Sequence, residues 1–194
     1  MHRSTTPPVV AVACLAALLA GGCATTNGGA PGADPGPPAA ATPSTSFNGT
    51  DLAWVQLMIP MNERTLPLLE LAVARGTDPD LRRLAGEIHA AHLAELTRLR
   101  HLRTLAGLDG TNPHEGHDMP GMVTAVQLDA LRAATGAEFD RLFHDRLREH
   151  VDQSARVSRG EQESGADAAT VALAGEMTRA RTTYLTRLDQ LTAP

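Results

Sequence analysis

Aromatic residues are scarce in this chain: three phenylalanines, one tryptophan and one tyrosine among 194 residues. Nucleic-acid modules stack bases on aromatic platforms and follow phosphates with basic stripes. Neither feature is present, and acidic residues outnumber basic ones 22 to 17, so nucleic acid is not expected as a partner. Cysteine is limited to Cys14 and Cys23, both near the N-terminus. The rest of the chain therefore has no disulfide, no thiolate metal site and no cysteine nucleophile. Runs of β-branched residues are missing, as are hairpin dipeptides between alternating segments, so strands are not expected. Catalytic signatures are missing too. There is no Gly-x-Ser-x-Gly elbow, no phosphate loop and no His-Glu-x-x-His. The repeated Glu-x-x-His pairs of a carboxylate-bridged di-iron oxidase are also absent. The chain does not read as an enzyme.

What is there begins with a leader. Arg3 precedes an apolar run from Val9 to Ala20, which ends in Leu19-Ala20-Gly21-Gly22-Cys23. The run is too short to span a membrane, and small residues just before a cysteine suit a lipoprotein signal peptidase. Residues 1–22 are thus expected to be a signal peptide, with Cys23 lipidated and the mature chain anchored extracytoplasmically to the membrane. Residues 23–46 are Gly, Pro, Ala, Thr and Ser with one charge, Asp34. Such a stretch cannot bury enough apolar surface to offset its ordering entropy and reads as a tether. One domain remains, residues 47–194. Nothing in the sequence specifies a protein partner for it.

That domain contains an internal duplication. "GTDPDLRRLAGEIHAAHLAELTRL" starts at Gly76 and "GADAATVALAGEMTRARTTYLTRL" at Gly165, an offset of 89, with 11 of 24 aligned positions identical. The repeats span about 47–105 and 136–191. Each reads as two helices, because apolar residues recur at spacings of three and four: Leu52, Val55, Ile59, Leu66, Leu69 and Val73, then Leu81, Leu84, Ile88, Ala91, Leu99 and Leu102. Glu95 interrupts the second stripe. At the turn, Gly76 is expected to adopt a left-handed conformation, Asp78 to cap the next helix and Pro79 to open it. Gly165 and Asp167 repeat the pattern. Pro60 and Pro67 predict a kink in the first helix, and a short helix is expected from about Thr124 to Ala134. The fold class that follows is all-α, an antiparallel four-helix bundle built from a duplicated helix pair.

"FNGTDLAWVQLMIPMNERTLPLLELAVARGTDP", the loop "HDMPGM" and "ATGAEFDRLF" resemble the domain-of-unknown-function 305 family over residues 47–191. The resemblance implies a secreted or lipid-anchored, ferritin-like bundle. It also implies a Met-x-Pro-His-His stretch in each repeat, facing a Gln-x-x-Glu and a methionine on the next helix, with copper associated with some members. This chain departs from that pattern. Met61-Asn62 stand where two histidines are implied, His150 is followed by Val151, and Arg146, Arg148 and Glu149 replace its other neighbours. On the partner helices His92 and Glu95 have Arg181 and Tyr184 as counterparts, and the implied methionines are Leu99 and Leu188.

Two candidate sites follow from the residues. Met58 and Met61 are three apart, as are His92 and Glu95, and the 89-residue offset makes His150 the counterpart of Met61. Thioether and imidazole together suit copper. The second candidate is the loop "HEGHDMPGM", residues 114–122, where His114, His117, Met119 and Met122 lie on a backbone loosened by Gly116 and Gly121. The expected function is binding or buffering of a transition metal, copper above all, at a partly degenerate site. The alternative is a metal-free interaction or envelope-structural module, in which Arg146, Arg148, Arg181 and Tyr184 turn the site into a polar network.

Overall fold

The computed structural model describes residues 46–191. The leader, Cys23 and nearly all of the tether lie outside the described residues. Five helices follow in order: α1 (Gly49–Arg75), α2 (Pro79–Leu105), the short α3 (Ala125–Ala133), α4 (Gly136–Ser164) and α5 (Ala168–Gln190). α1 packs tightly on α2, α4 on α5, and α1 on α4, so the duplicated pairs form a four-helix bundle with α3 as an appendage of the connection. Among the described residues no helix is long and apolar enough to cross a membrane.

Side-chain caps set the helix starts. Asn48 caps α1 in a reciprocal box with Asp51, and Thr124 caps α3 in another with Gln127. Asp78 and Asp167 cap α2 and α5, as the repeat predicts. The turn glycines differ from expectation. Gly76 has φ −56° and Gly165 φ −70°, so neither is left-handed. Space is the reason for glycine here. A Cβ on Gly76 would lie 2.8 Å from the Ala72 carbonyl oxygen, and one on Gly165 would run into the Glu161 carboxyl. α1 continues as a single helix through Pro60 and Pro67.

The two repeats hold each other reciprocally. Asp140, at the start of α4, accepts from the backbone N–H groups of Thr77 and Asp78 and from the Thr77 hydroxyl in the α1–α2 turn. Asp51 is its counterpart at the offset of 89, and it accepts from the N–H groups of Ala166 and Asp167 in the α4–α5 turn. The surface repeats the exchange: Arg98 pairs with Glu176, and its counterpart Arg187 pairs with Glu87. A pseudo-twofold axis thus relates the pairs. Inside, one apolar cluster runs from Leu68, Leu84 and Ile88 to Phe139, Phe143 and Leu188. A second gathers Trp54, Met58, Met61, Leu96, Met122 and Met177.

Because Asp140 satisfies several otherwise free donors at once, Asp140→Ala is expected to lower the unfolding free energy by about 2 kcal/mol, the cost of leaving such groups unpaired. Urea denaturation of the two proteins measures it.

Candidate functional site

The bundle centre is polar where apolar residues would serve packing alone. α1 supplies Asn62 and Thr65, α2 His92 and Glu95, α4 His150 and Ser154, and α5 Arg181. All seven are buried, with Arg181 at 0% exposure and Glu95 at 9%. Each lies on the inward stripe of its helix. The offset relates Met61 to His150, Thr65 to Ser154, His92 to Arg181 and Glu95 to Tyr184, so the centre straddles the pseudo-twofold axis with unlike chemistry on its two sides.

On one side stands an ion pair. Arg181 donates from both terminal nitrogens to the two Glu95 oxygens, at 2.8 and 2.6 Å, and from Nε to Ser154 Oγ at 3.0 Å. Asn62 Nδ2 adds a bond to Glu95 Oε2 at 2.8 Å. A fork-to-fork pair of this kind is the geometry that makes a buried arginine tolerable. The Tyr184 ring centre lies 6.0 Å from the guanidinium carbon, at the outer limit for attraction between a cation and a ring face. Arg146 and Arg148 are not in this network; they pair at the surface with Glu149 and Asp189.

On the other side two imidazoles meet, His92 Nε2 and His150 Nε2 being 2.9 Å apart. His150 Nδ1 is 3.0 Å from the Gly121 carbonyl oxygen and 3.0 Å from Thr65 Oγ1, whose own hydroxyl donates to the Met61 carbonyl. A carbonyl only accepts, so the network assigns the His150 proton to Nδ1 and leaves Nε2 a lone pair. His92 then donates from Nε2, and its Nδ1 has no hydrogen-bond partner. Burial, and then the Arg181 charge, lower the His150 pKa to about 3. The same two causes, with the His150 charge after them, hold His92 well below the usual histidine range. Both rings are neutral.

Gly121 makes the contact from the connection. It has φ +78°, and a Cβ there would lie 2.5 Å from the Gln153 side chain. Only glycine fits where the chain must turn left-handed against α4 and present its carbonyl to His150. The same Cβ would come within 3.2 Å of the Met61 methyl, which places Met61 beside the imidazole pair's support. Met58, also fully buried, lies in the same apolar cluster.

The loop residues face different surroundings. His114 lines an α1–α4 cavity of about 330 Å³ with Trp54, Leu57 and Glu161. His117 is exposed, Met119 is half-buried against the core, and Met122 is buried with its sulfur 3.6 Å from an Arg64 nitrogen. Among the described residues no group of three or more His, Cys, Asp or Glu side chains converges to hold an ion. Of the sequence candidates, His92 and His150 are thus brought together, Glu95 is committed to Arg181, and Met61 is adjacent. Thr65, Gly121 and Ser154 were not foreseen. Thr65 and Ser154 did leave a signal, as small polar counterparts 89 residues apart.

The family model described as "Domain of unknown function (DUF305)" matches residues 51–192, and the chain belongs to that family. A DUF305 protein from Streptomyces coelicolor, described as secreted, superposes with a TM-score of 0.67 at 19% identity, covering 74% of this chain and 92% of that one. A DUF305 fragment from Deinococcus radiodurans gives 0.67 at 14%, covering 75% and 96%. CopM in its Cu(I)-bound form gives 0.62 at 19%, covering 74% and 96%. At these identities the likeness establishes the fold. No curated protein matches the sequence at a significant level.

Removing one partner of the central ion pair strands a buried charge. Arg181→Met is expected to cost about 3–5 kcal/mol, and the Arg181→Met/Glu95→Gln double variant to recover most of it; chemical denaturation of all three proteins checks this. The depressed imidazoles add a pH effect. Their folded pKa values lie below the ordinary 6.5, so the folded state takes up fewer protons than the unfolded one as acid is added, and stability is lost as pH falls from 6.5 toward about 3. Thermal melts across that window should show a shallower decline in His150→Asn than in the wild type.

Proposed function

We propose that this member of the family is an extracytoplasmic, lipid-anchored protein that binds and buffers copper, taking the soft monovalent ion between His92 and His150. The observation that carries the reading is the buried pair of neutral imidazoles with their Nε2 atoms 2.9 Å apart. Neutral imidazole is the ligating form, and both rings keep it well into acid. The pair has two tautomeric arrangements. In the one assigned above, a proton lies between the rings. If it moves to His92 Nδ1, an atom with no hydrogen-bond partner among the described residues, it sits on the side of Glu95 Oε2, which is 3.8 Å from that nitrogen. Both Nε2 atoms then carry lone pairs that face each other with no net change in charge, and an ion with metal–nitrogen bonds of about 2 Å would enter as the rings part from 2.9 Å to about 4 Å.

Donor chemistry selects the ion. Two imidazoles, with the Met61 and Met58 thioethers in the adjoining core, form a soft set that favours Cu(I). Glu95 is withdrawn by Arg181 and Asn62, so the hard oxygen ligand that a divalent ion would take is not offered, and the nearby guanidinium penalises a second positive charge. Copper supplies no reaction here; the residues bind and shield it. CopM, described in Cu(I)-, Cu(II)- and Ag-bound forms, lends support by likeness. The loop residues His114, His117, Met119 and Met122 are a secondary, weaker set.

A second reading has its own observation. The Arg181–Glu95 pair, with Asn62 and Ser154 bonded to it, holds together without any ion, as a metal-free interaction or envelope-structural module would require. Competition of the protein against a Cu(I) chelator separates the two. Copper buffering predicts one equivalent of tightly bound Cu(I), reduced at least tenfold in affinity in His92→Ala/His150→Ala and retained when His114, His117, Met119 and Met122 are all alanine. Absence of competition by the wild type would leave the metal-free module. Binding lost only in the loop variant would move the site to the loop.

A further inference from the structure

At the end of the bundle nearest the N-terminus of α1, two carboxyl groups are buried against each other. Asp51 is 0% exposed and Glu161 1%. The Asp51 oxygens accept from the backbone N–H groups of Asn48, Ala166 and Asp167 at 2.7–3.2 Å. Glu161 has no such donor: neither of its oxygens has a hydrogen-bond partner from a nitrogen or hydroxyl among the described residues. The Asp51 carboxyl is within hydrogen-bond reach of it, and the Asp167 carboxyl lies near. Two carboxylates cannot bond each other without a proton between them, and like charges at that range do not both ionise.

The duplication shows that packing does not require this acid. Glu161 stands at the offset position of Ala72, and in the first repeat Asp140 holds the α1–α2 turn with an alanine in that place. The second repeat has added a titratable group to an otherwise equivalent joint. Gly165 makes room for it, since a Cβ there would overlap the Glu161 carboxyl. The joint ties three pieces together: the Asn48 cap, whose side chain donates to the Ser164 carbonyl, the start of α1, and the α4–α5 turn.

We propose that Asp51 and Glu161 share one proton and form a latch that closes the N-terminal end of α1 onto the α4–α5 turn and loosens when that proton is lost to solvent. Glu161 is the acid and Asp51 the carboxylate, because Asp51 holds the N–H donors. Burial first, then the bond to Asp51 and the charges of Asp51 and Asp167, push Glu161 up to about 8. Burial alone would raise Asp51, but the N–H of Asn48, the bond to Glu161 and the N–H groups of Ala166 and Asp167 outweigh it and keep Asp51 low. The charged groups that face Glu161 are Asp51 from α1 and Asp167 at the start of α5, and His114 from the connection lines the adjoining cavity. No arginine acts on either carboxyl among the described residues. The folded pKa of Glu161 lies above its ordinary 4.5, so its contribution to stability is full below that value and is lost as pH rises through about 8.

Trp54, the only tryptophan of the chain, lines the same cavity and donates to Ser158 Oγ one turn before Glu161. It reports on the latch in the full chain without a label. Tryptophan emission titrated from pH 5 to pH 10 is expected to shift with a midpoint near 8 in the wild type and to stay flat above pH 7 in Glu161→Gln, which mimics the protonated acid, and in Glu161→Ala, which restores the first repeat's residue. Thermal melts should give Glu161→Gln the same Tm as the wild type at pH 5 and a higher one at pH 9. His114→Ala should keep the transition. Flat emission in the wild type, a transition unchanged in Glu161→Gln, or one abolished by His114→Ala would each overturn the proposal.

Discussion

A guanidinium without access to water must be met by a carboxylate, and in this bundle that requirement organises the centre. Arg181 is wholly buried on α5, so Glu95 must come to it from α2, and Asn62 from α1 and Ser154 from α4 complete the bonding. Four helices are thereby tied at one level. The same charge acts on the two histidines beside it. Together with burial it keeps both imidazoles neutral, so the polar core contains one half built on a bonded ion pair and one half built on neutral imidazole nitrogens. The first half is structural, and the second has ligand chemistry to offer.

Duplication explains why the frame tolerates such a divided centre. At the ends the two repeats remain reciprocal, Asp51 and Asp140 each holding the other repeat's turn and Arg98 and Arg187 each pairing across to the other repeat's glutamate. These contacts do not involve the central residues. The positions on the axis have therefore been able to diverge, His92 against Arg181 and Met61 against His150, without loss of the symmetric scaffold. Glu161 is a second departure, at the joint and not at the centre.

Much of this was legible in the sequence, because the offset of 89 converts one helix pair into a template for the other. The helices, the caps Asp78 and Asp167 and the inward placement of His92, Glu95 and His150 follow from spacing alone. The left-handed turn at Gly76 did not follow, since glycine there answers a close approach by the Ala72 carbonyl and not a positive φ. Gly121 is the reverse case, a loop glycine with a positive φ whose carbonyl lands on His150, a long-range contact that no local pattern encodes. The compositional signal of the loop does not say where each side chain faces. His114, His117, Met119 and Met122 are close in sequence, yet the backbone sends His114 to a cavity wall, Met122 to the core and His117 to solvent. Asp51 and Asp140 carry no local signal of their role, because their partners are more than sixty residues away.

Under the proposed copper reading, His92 and His150 are neutral partners whose Nε2 atoms take up a soft cation. Nitrogen-15 NMR of the imidazole rings, recorded near pH 6 without metal and then with one equivalent of Ag(I) as a redox-inert stand-in for Cu(I), tests it most directly. Two neutral rings that do not titrate near the ordinary histidine value, with both Nε2 resonances moving when the ion is added, are the expected result. An imidazolium at either position, or Nε2 signals that stay in place while only loop histidines respond, would contradict it.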